Sequence, residues 1–511
     1  MKFKAFLGLL AMTLPVQPAQ AAWLEASSDH FVIYANDTTK NVTRFAEQLE
    51  RYHAGVALVF NTDTAKPSPS NRVTVYVVKN EREVRKLHGG KDDQVAGFYV
   101  PAAGGSLAIV PAVEAASGAV TWSMVVLLHE YAHHFMISSS AMPMPRWVGE
   151  GAAEFFASAK FEMDGSLWMG RPAVHRAGGL LLGKDVQVAE LLDPEATAKL
   201  KLSQMDGFYG KSWLLYHYLT FNEARRGQFS RYLALLGEGK SQTVAATEVF
   251  GDFAALEKEL DRYLVQRRLS ALKIDAGKLK IGPVALRALS AGEGAMMNVR
   301  VRSKRGVSEE EAMAVLAEAR AIAALHPDDP AVLSALAECE YDAGNDGEAV
   351  TAADAALKRD PRQVNAYLQK GYALLRIAAD LDGDAREAAY KVARAPFIAL
   401  NRLENDHPLP LIYYYRGFVE RGQKPSQLAI DGLVRAMQLA PFDLGLRAEL
   451  GMALIALGRH GDAKAVLAAV AANPHGGSLS DYARKAIERM GKDPAWRGEP
   501  MDTKEDGTTE A

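Results

Sequence analysis

Residues 129–156 read HEYAHHFMISSSAMPMPRWVGEGAAEFF, and the reading of this stretch decides what the surrounding chain has to build. His129 and His133 are four apart, so on a helix they lie one turn above the other on the same face. That spacing lets both imidazoles reach one metal ion, with Glu130 beside the first of them, where its carboxylate meets a metal-bound water. The apolar run TWSMVVLL just upstream supplies the helix on which the pair must sit.

The third ligand follows from what comes next. A glycine three places after His133 and a histidine three places beyond it would make a three-histidine site, but Met136 and Ser139 stand there. The first carboxylate after His133 is Glu150. SSSAMPMP breaks the first helix, because proline cannot continue it, and a second helix through Glu150 brings the acid back to the metal. Two imidazoles and one carboxylate leave the fourth position of a tetrahedral zinc for water, the arrangement of catalytic rather than structural sites. One Zn2+ per chain is expected. Glu154, one turn after Glu150 and flanked by Ala152, Ala153, Phe155 and Phe156, is expected to accept the N–H of a ligand histidine and fix its tautomer. His134 points off the ligand face and is expected to be a packing or surface residue.

Before this stretch, 22–115 alternates between strand and helix patterns and reads as a small α+β lobe. DHFVIYAN and RVTVYVVKN alternate, and VAGFYV and GSLAIVP flank the turn-rich PAAGG as a hairpin. The stretch from Gly105 to Val110 is expected to be an exposed edge that adds a peptide strand. Helical patterns dominate 116–275, the expected catalytic lobe, and 276–307 reads as a linker.

From 308 to 491 small residues recur in phase. PAVLSALAECEYDAGNDGEAVTAADAALKRDP (330–361) carries Ala337, Gly344, Ala349, Ala356 and Pro361 at tetratricopeptide-repeat offsets. Residues 410–441 repeat this with Gly417, Ala429, Ala436 and Pro441. A third unit holds Gly451, Gly458, Ala463 and Pro474, and an expanded unit lies between the first two. Small residues recur where paired helices approach closely, so an α-solenoid is expected. The acidic tail, 492–511, reads as disordered.

Length and composition set the frame. At 511 residues two or three domains are expected, and a formal net charge of −3 with no basic block excludes a nucleic-acid binder. Lys2 and Lys4, an apolar run from Phe6 to Val16 and Ala19/Ala21 in A-x-A spacing read as a signal peptide over 1–21. The protein is therefore expected to be exported, to the periplasm or beyond, with no membrane span after cleavage. Cys339 is the one cysteine, so no intrachain disulfide forms, and its apolar helical surroundings make it a buried small hydrophobe.

With H-E-x-x-H followed by W-x-x-E-G, the chain resembles the gluzincin zinc metallopeptidases, in particular the peptidase MA-like domains related to the aminopeptidase group. The resemblance covers roughly 22–270 and implies His129, His133 and Glu150 as zinc ligands and Glu130 as general base. It also implies a role for Tyr209. In that group a Y-x-K-G segment opening an apolar helix carries the tyrosine that stabilises the tetrahedral intermediate, and Tyr209-Gly210-Lys211-Ser212 matches it except for the final serine. The match departs in two ways. The interval from His133 to Glu150 is shorter, and the G-x-M-E-N strand whose glutamate captures a free amino terminus has no counterpart: AGFYVPAAGGSLAIVP holds no acid. The expectation is an endopeptidase acting on peptide or protein substrates, its repeats binding substrate or a protein partner. Two other readings stay open: an exported scaffold whose metal site is idle, and a hydrolase of non-peptide amides.

Overall fold

A computed structural model describes residues 23–62, 66–89, 95–139, 144–183, 186–473 and 476–498. The expected signal peptide, most of the expected tail, Pro474 and residues 140–143 of the helix breaker lie outside the described residues.

Strands β1 (Leu24–Ser27) and β2 (Phe31–Ala35) form a hairpin, after which α1 (Thr39–Phe60) crosses to β3 (Val73–Val77). Thr38 caps α1 by accepting from the Asn41 amide. Helix α2 (Glu81–His88) leads to the hairpin β4 (Phe98–Val100) and β5 (Leu107–Val110). Then come β6 (Gly118–Ala119), α3 (Trp122–Ser139), α4 (Arg146–Ala157), β7 (Lys160–Phe161) and β8 (Leu167–Met169). Three short helices, α5 (Ala177–Leu181), α6 (Val188–Leu191) and α7 (Pro194–Thr197), precede the long α8 (Met205–Phe221). The lobe closes with α9 (Gln228–Gly237), α10 (Gln242–Phe250), α11 (Phe253–Leu264), β9 (Leu272–Ile274), β10 (Ala285–Ala288) and α12 (Ala291–Lys304).

The strands make two sheets, ordered β10-β1-β2-β3-β5-β4 and β6-β7-β8-β9. In the first, β2–β3 and β3–β5 are parallel and the remaining pairs antiparallel. One apolar core joins α1, the inner face of this sheet, α3, α4 and α8.

Two expectations change here. The stretch Gly105–Val110 is not an edge: β5 pairs with β3 on one side and β4 on the other, and the outermost strand is β4. All four β5 residues, LAIV, are buried, as a continuous apolar run in an interior strand should be. The segment 276–307 is more than a linker, since β10 pairs with β1, and Leu289, Met297 and Val301 pack with Val32, Tyr34 and Tyr76. All four β10 residues are exposed, so the strand has no buried face to leave a period-two trace in the sequence.

Beyond α12 the chain is helical: α13 (Glu309–Leu325), α14 (Pro330–Asp342), α15 (Asp346–Arg359), α16 (Val364–Ala379), α17 (Gly383–Leu403), α18 (Pro408–Val419), α19 (Gln427–Leu439), α20 (Leu444–Ala456), α21 (His460–Ala471) and α22 (Ser478–Lys492). Each packs on its chain neighbour, giving a stacked array of helix hairpins. Pairs α14–α15, α18–α19 and α20–α21 fall on the three units read in the sequence, and α16–α17 is the expanded one. Ala337, Ala349, Ala356, Ala429, Ala436 and Ala463 are fully buried. A Cβ on Gly451 would sit 2.5 Å from Leu467 Cδ2, and Gly344 and Gly458 turn the chain at φ of +82° and +74°. Gly417 differs: a side chain there would meet open space. Cys339 is 1% exposed. Among the described residues no helix is long and apolar enough to cross a membrane.

Candidate metal centre

Helix α3 is apolar almost all round. Leu127, Leu128, Tyr131, Ala132, Phe135 and Met136 are buried, and the Leu128 carbonyl accepts from the Tyr52 hydroxyl of α1 at 2.9 Å. A helix held on so many sides fixes the direction of the few polar side chains it carries. Helix α4 is anchored at its start by Trp147, 1% exposed and packed on Phe229 and Tyr232. It then runs close against α8, because a Cβ on Gly151 would collide with the Ser212 carbonyl oxygen. The glycine of W-x-x-E-G is therefore what lets the acid-bearing helix approach the tyrosine-bearing one.

These helices bring His129, His133 and Glu150 together, all three buried, with one donor atom from each mutually within 4.8 Å. His133 Nε2 lies 3.1 Å from His129 Nε2, and Glu150 Oε2 lies 3.2 Å from the first imidazole and 3.3 Å from the second. Ligands about 2.0–2.1 Å from a tetrahedral zinc stand about 3.3–3.4 Å apart along each edge. The three separations fit one face of such a tetrahedron, and the donor set fits the ion chemically.

Behind this face Glu154, fully buried, puts Oε1 3.3 Å from His129 Nδ1. Its other oxygen meets His175 Nε2 at 2.5 Å, and Arg176 donates to Oε1 from Nε at 2.9 Å and from Nη2 at 2.6 Å. Arg176 also reaches Asp206 at 3.0 Å. Burial opposes ionisation of Glu154, but the nearby His129, the hydrogen bond from His175 and the charge of Arg176 hold its carboxyl well below the usual range. Burial likewise opposes the charged form of His129, yet its contacts with Glu150 and Glu154 raise it to about 10. The pocket therefore favours positive charge between the carboxylates.

Tyr209, at the start of α8, presents its ring edge-on to His129 with centroids 6.2 Å apart. The Arg176 guanidinium lies 4.7 Å over its face. Burial first, then the charge of Glu150, push the phenol above its ordinary value, with Glu130 adding in the same direction. The O–H is thus kept as a donor. Glu130 itself is half-buried. Lys211 of the same segment pairs with Glu257 at 2.5 Å, which ties α8 to α11. His134 is a packing residue: its Nδ1 meets the Tyr99 hydroxyl at 2.6 Å, and its ring lies 4.3 Å from Phe442 of the helical array.

His129, His133 and Glu150 thus converge, Glu154 stands behind His129 and the Tyr209 ring lies beside it, while Glu130 follows His129 on α3. His175 and Arg176 were not foreseen; they sit on a short turn, Val174–Arg176, with no fixed spacing to Glu154. The array also closes on this region. Ala103 donates to Asp443 at 2.8 Å, Asn71 to the Leu439 carbonyl at 3.0 Å, and Arg447 to the Ile137 carbonyl near the end of α3 at 3.4 Å.

No family model matches the chain, and no curated protein matches it. Among solved structures it is similar to TTC0263, a thermophilic tetratricopeptide-repeat protein of Thermus thermophilus, at 18% identity over 39% of this chain and 100% of that one, TM-score 0.33. It is similar to a MamA RS-1 ArsTM double mutant at 20% identity, covering 40% and 100%, TM-score 0.27. Yeast Tom70 matches at 12% identity, covering 62% and 70%, TM-score 0.27. These superpositions are loose, and the helical-repeat architecture stands on the chain's own stacked pairs.

Proposed function

We propose that this protein is an exported zinc metallopeptidase of gluzincin type, an endopeptidase, with its helical array serving to bind substrate or a protein partner. The observation that carries the reading is the spacing of His129 Nε2, His133 Nε2 and a Glu150 oxygen, 3.1–3.3 Å apart, as ligands on one tetrahedral face would be. Export rests on the signal-peptide pattern over 1–21.

Bound zinc supplies a water of near-neutral pKa and polarises the carbonyl under attack. The protein's own groups do the rest. Glu130, next to the first ligand, takes a proton at its carboxylate and later delivers it to the leaving amine. Tyr209 donates its phenolic O–H to the oxyanion as charge develops. Glu154 holds His129 in the tautomer that leaves Nε2 free to ligate, and His175 and Arg176 keep Glu154 ionised and aimed. The β4–β5 hairpin carries no carboxylate to recognise a free amino terminus, which favours cleavage within chains.

The test is Glu130→Gln. Zinc content should stay at one per chain while cleavage of an unfolded, casein-like substrate falls by about 10²- to 10⁴-fold. Undiminished cleavage would remove Glu130 from the chemistry. Should the unaltered chain hold zinc yet cleave neither peptides nor other amides, the idle-site scaffold becomes the better reading.

A further inference from the structure

Away from the metal centre, a pocket of about 190 Å³ opens where α12, α14 and α16 meet the outer face of the first sheet. Its floor is unusual in one respect. Arg300 lays its guanidinium 4.5 Å over the ring of Tyr34, and its Nη2 donates to a tyrosine hydroxyl, that of the same Tyr34, at 3.2 Å. Among the described residues no carboxylate stands within ion-pair distance of it. Every other charge lining the pocket is matched. Lys304 pairs with Glu338 at 2.8 Å, and Arg287 with Glu293 at 2.7 Å.

Neighbouring polar groups are also committed. The Asn365 side-chain carbonyl accepts from Lys304 at 2.9 Å, and its amide donates to the Ser334 carbonyl and to Glu338, both at 3.2 Å. Asn365 thus fixes the Lys304–Glu338 pair, and the pocket is left with one net positive charge, on Arg300. A half-buried guanidinium gives up hydration that a phenol only partly replaces.

We propose that this pocket binds a carboxylate on Arg300, flanked by Tyr34 and Lys304. The planar fork of the guanidinium matches a carboxylate through two parallel hydrogen bonds. One negative charge completes the balance, whereas a phosphate dianion would leave an excess beside Glu338. The Tyr34 hydroxyl, accepting from Arg300, still has its own proton to donate, and Lys304 has a further N–H. The space admits an acid group with the residue that bears it. Two sources share this chemistry: a small free acid, or the terminal carboxylate of a polypeptide lying along α12, α14 and α16. The site is independent of the metal chemistry proposed above.

Calorimetry on the full chain tests this with N-acetyl-Ala-Ala, its carboxamide, and acetate. The free acid should bind at least about 10-fold more tightly than the amide, because the amide cannot accept both guanidinium bonds without bringing an N–H against a donor. Arg300→Met should abolish binding, and Lys304→Met should weaken it while leaving Arg300 in place. If Arg300→Met does not fold, Arg300→Lys keeps the charge but loses the fork and should weaken the acid alone. Acetate binding as well as the peptide assigns the pocket to small acids; peptide preference assigns it to chain ends. Equal binding of acid and amide, or no binding of any of the three probes up to about 10 mM, overturns the proposal. Zinc content, measured on the same samples, should not change in any variant.

Discussion

Helix pairs α20–α21 and α3–α4 each pack closely and bury opposite things. Between α20 and α21 lie Gly451, Ala463 and Leu467, small and apolar, so close that a Cβ at 451 would press on Leu467. Between α3 and α4 lie two imidazoles and two carboxylates, all buried, His129, His133, Glu150 and Glu154. Apolar contacts of the first kind stabilise by removing surface from water and ask nothing of geometry beyond fit. Polar groups of the second kind cost desolvation and are tolerated only when placed to satisfy one another or an ion. The interface in the array is satisfied by fit alone, whereas the polar cluster between α3 and α4 depends on partners brought from elsewhere in the chain, His175 and Arg176.

Four substitutions sharpen that contrast. The largest effect is expected from Tyr209→Phe, which removes one donor to the oxyanion and should lower kcat by about 10²- to 10³-fold with zinc content unchanged. Steady-state kinetics beside metal analysis reads both, and an unaltered kcat would make Tyr209 a packing residue. Next, Glu154→Gln keeps the shape but removes the charge facing His129 Nδ1 and Arg176. Zinc affinity, measured by competition with a chelator, should fall by about 10- to 100-fold. The smallest but most discriminating test compares glycines. Gly451→Ala crowds Leu467 and should lower stability by about 1–3 kcal/mol in denaturant unfolding while zinc affinity is kept. Gly151→Ala drives α4 from the Ser212 carbonyl and should reduce zinc affinity as well as stability. Equal zinc affinity in both glycine variants would show that the α4–α8 approach does not set the metal site.

Much of this was legible in the sequence because helical spacing carries it. His129 and His133, Glu150 and Glu154, and the small residues of the array each repeat at intervals that a helix turns into a shared face or a close contact. The hairpin at 95–110 was legible for a different reason, its turn-rich PAAGG. What stayed hidden had no periodic trace. β10 has no buried face, and β5 looked like an edge because hairpin order does not say which strand lies outermost. His175 and Arg176 reach Glu154 from a turn about twenty residues on in the chain, a meeting that only the path through β7 and β8 arranges. The seating of Phe442 against α3 and of Asp443 against the β4–β5 turn is equally a meeting of distant segments, which the repeat pattern alone does not specify.

The most direct measurement is X-ray absorption at the zinc edge on the metal-loaded protein, alone and as Glu150→Ala. The expected spectrum shows four light ligands at about 2.0–2.1 Å, two with the multiple-scattering signature of imidazole, and stoichiometric zinc is lost when Glu150 is removed. A first shell without two histidines, or full zinc binding by Glu150→Ala, would contradict it.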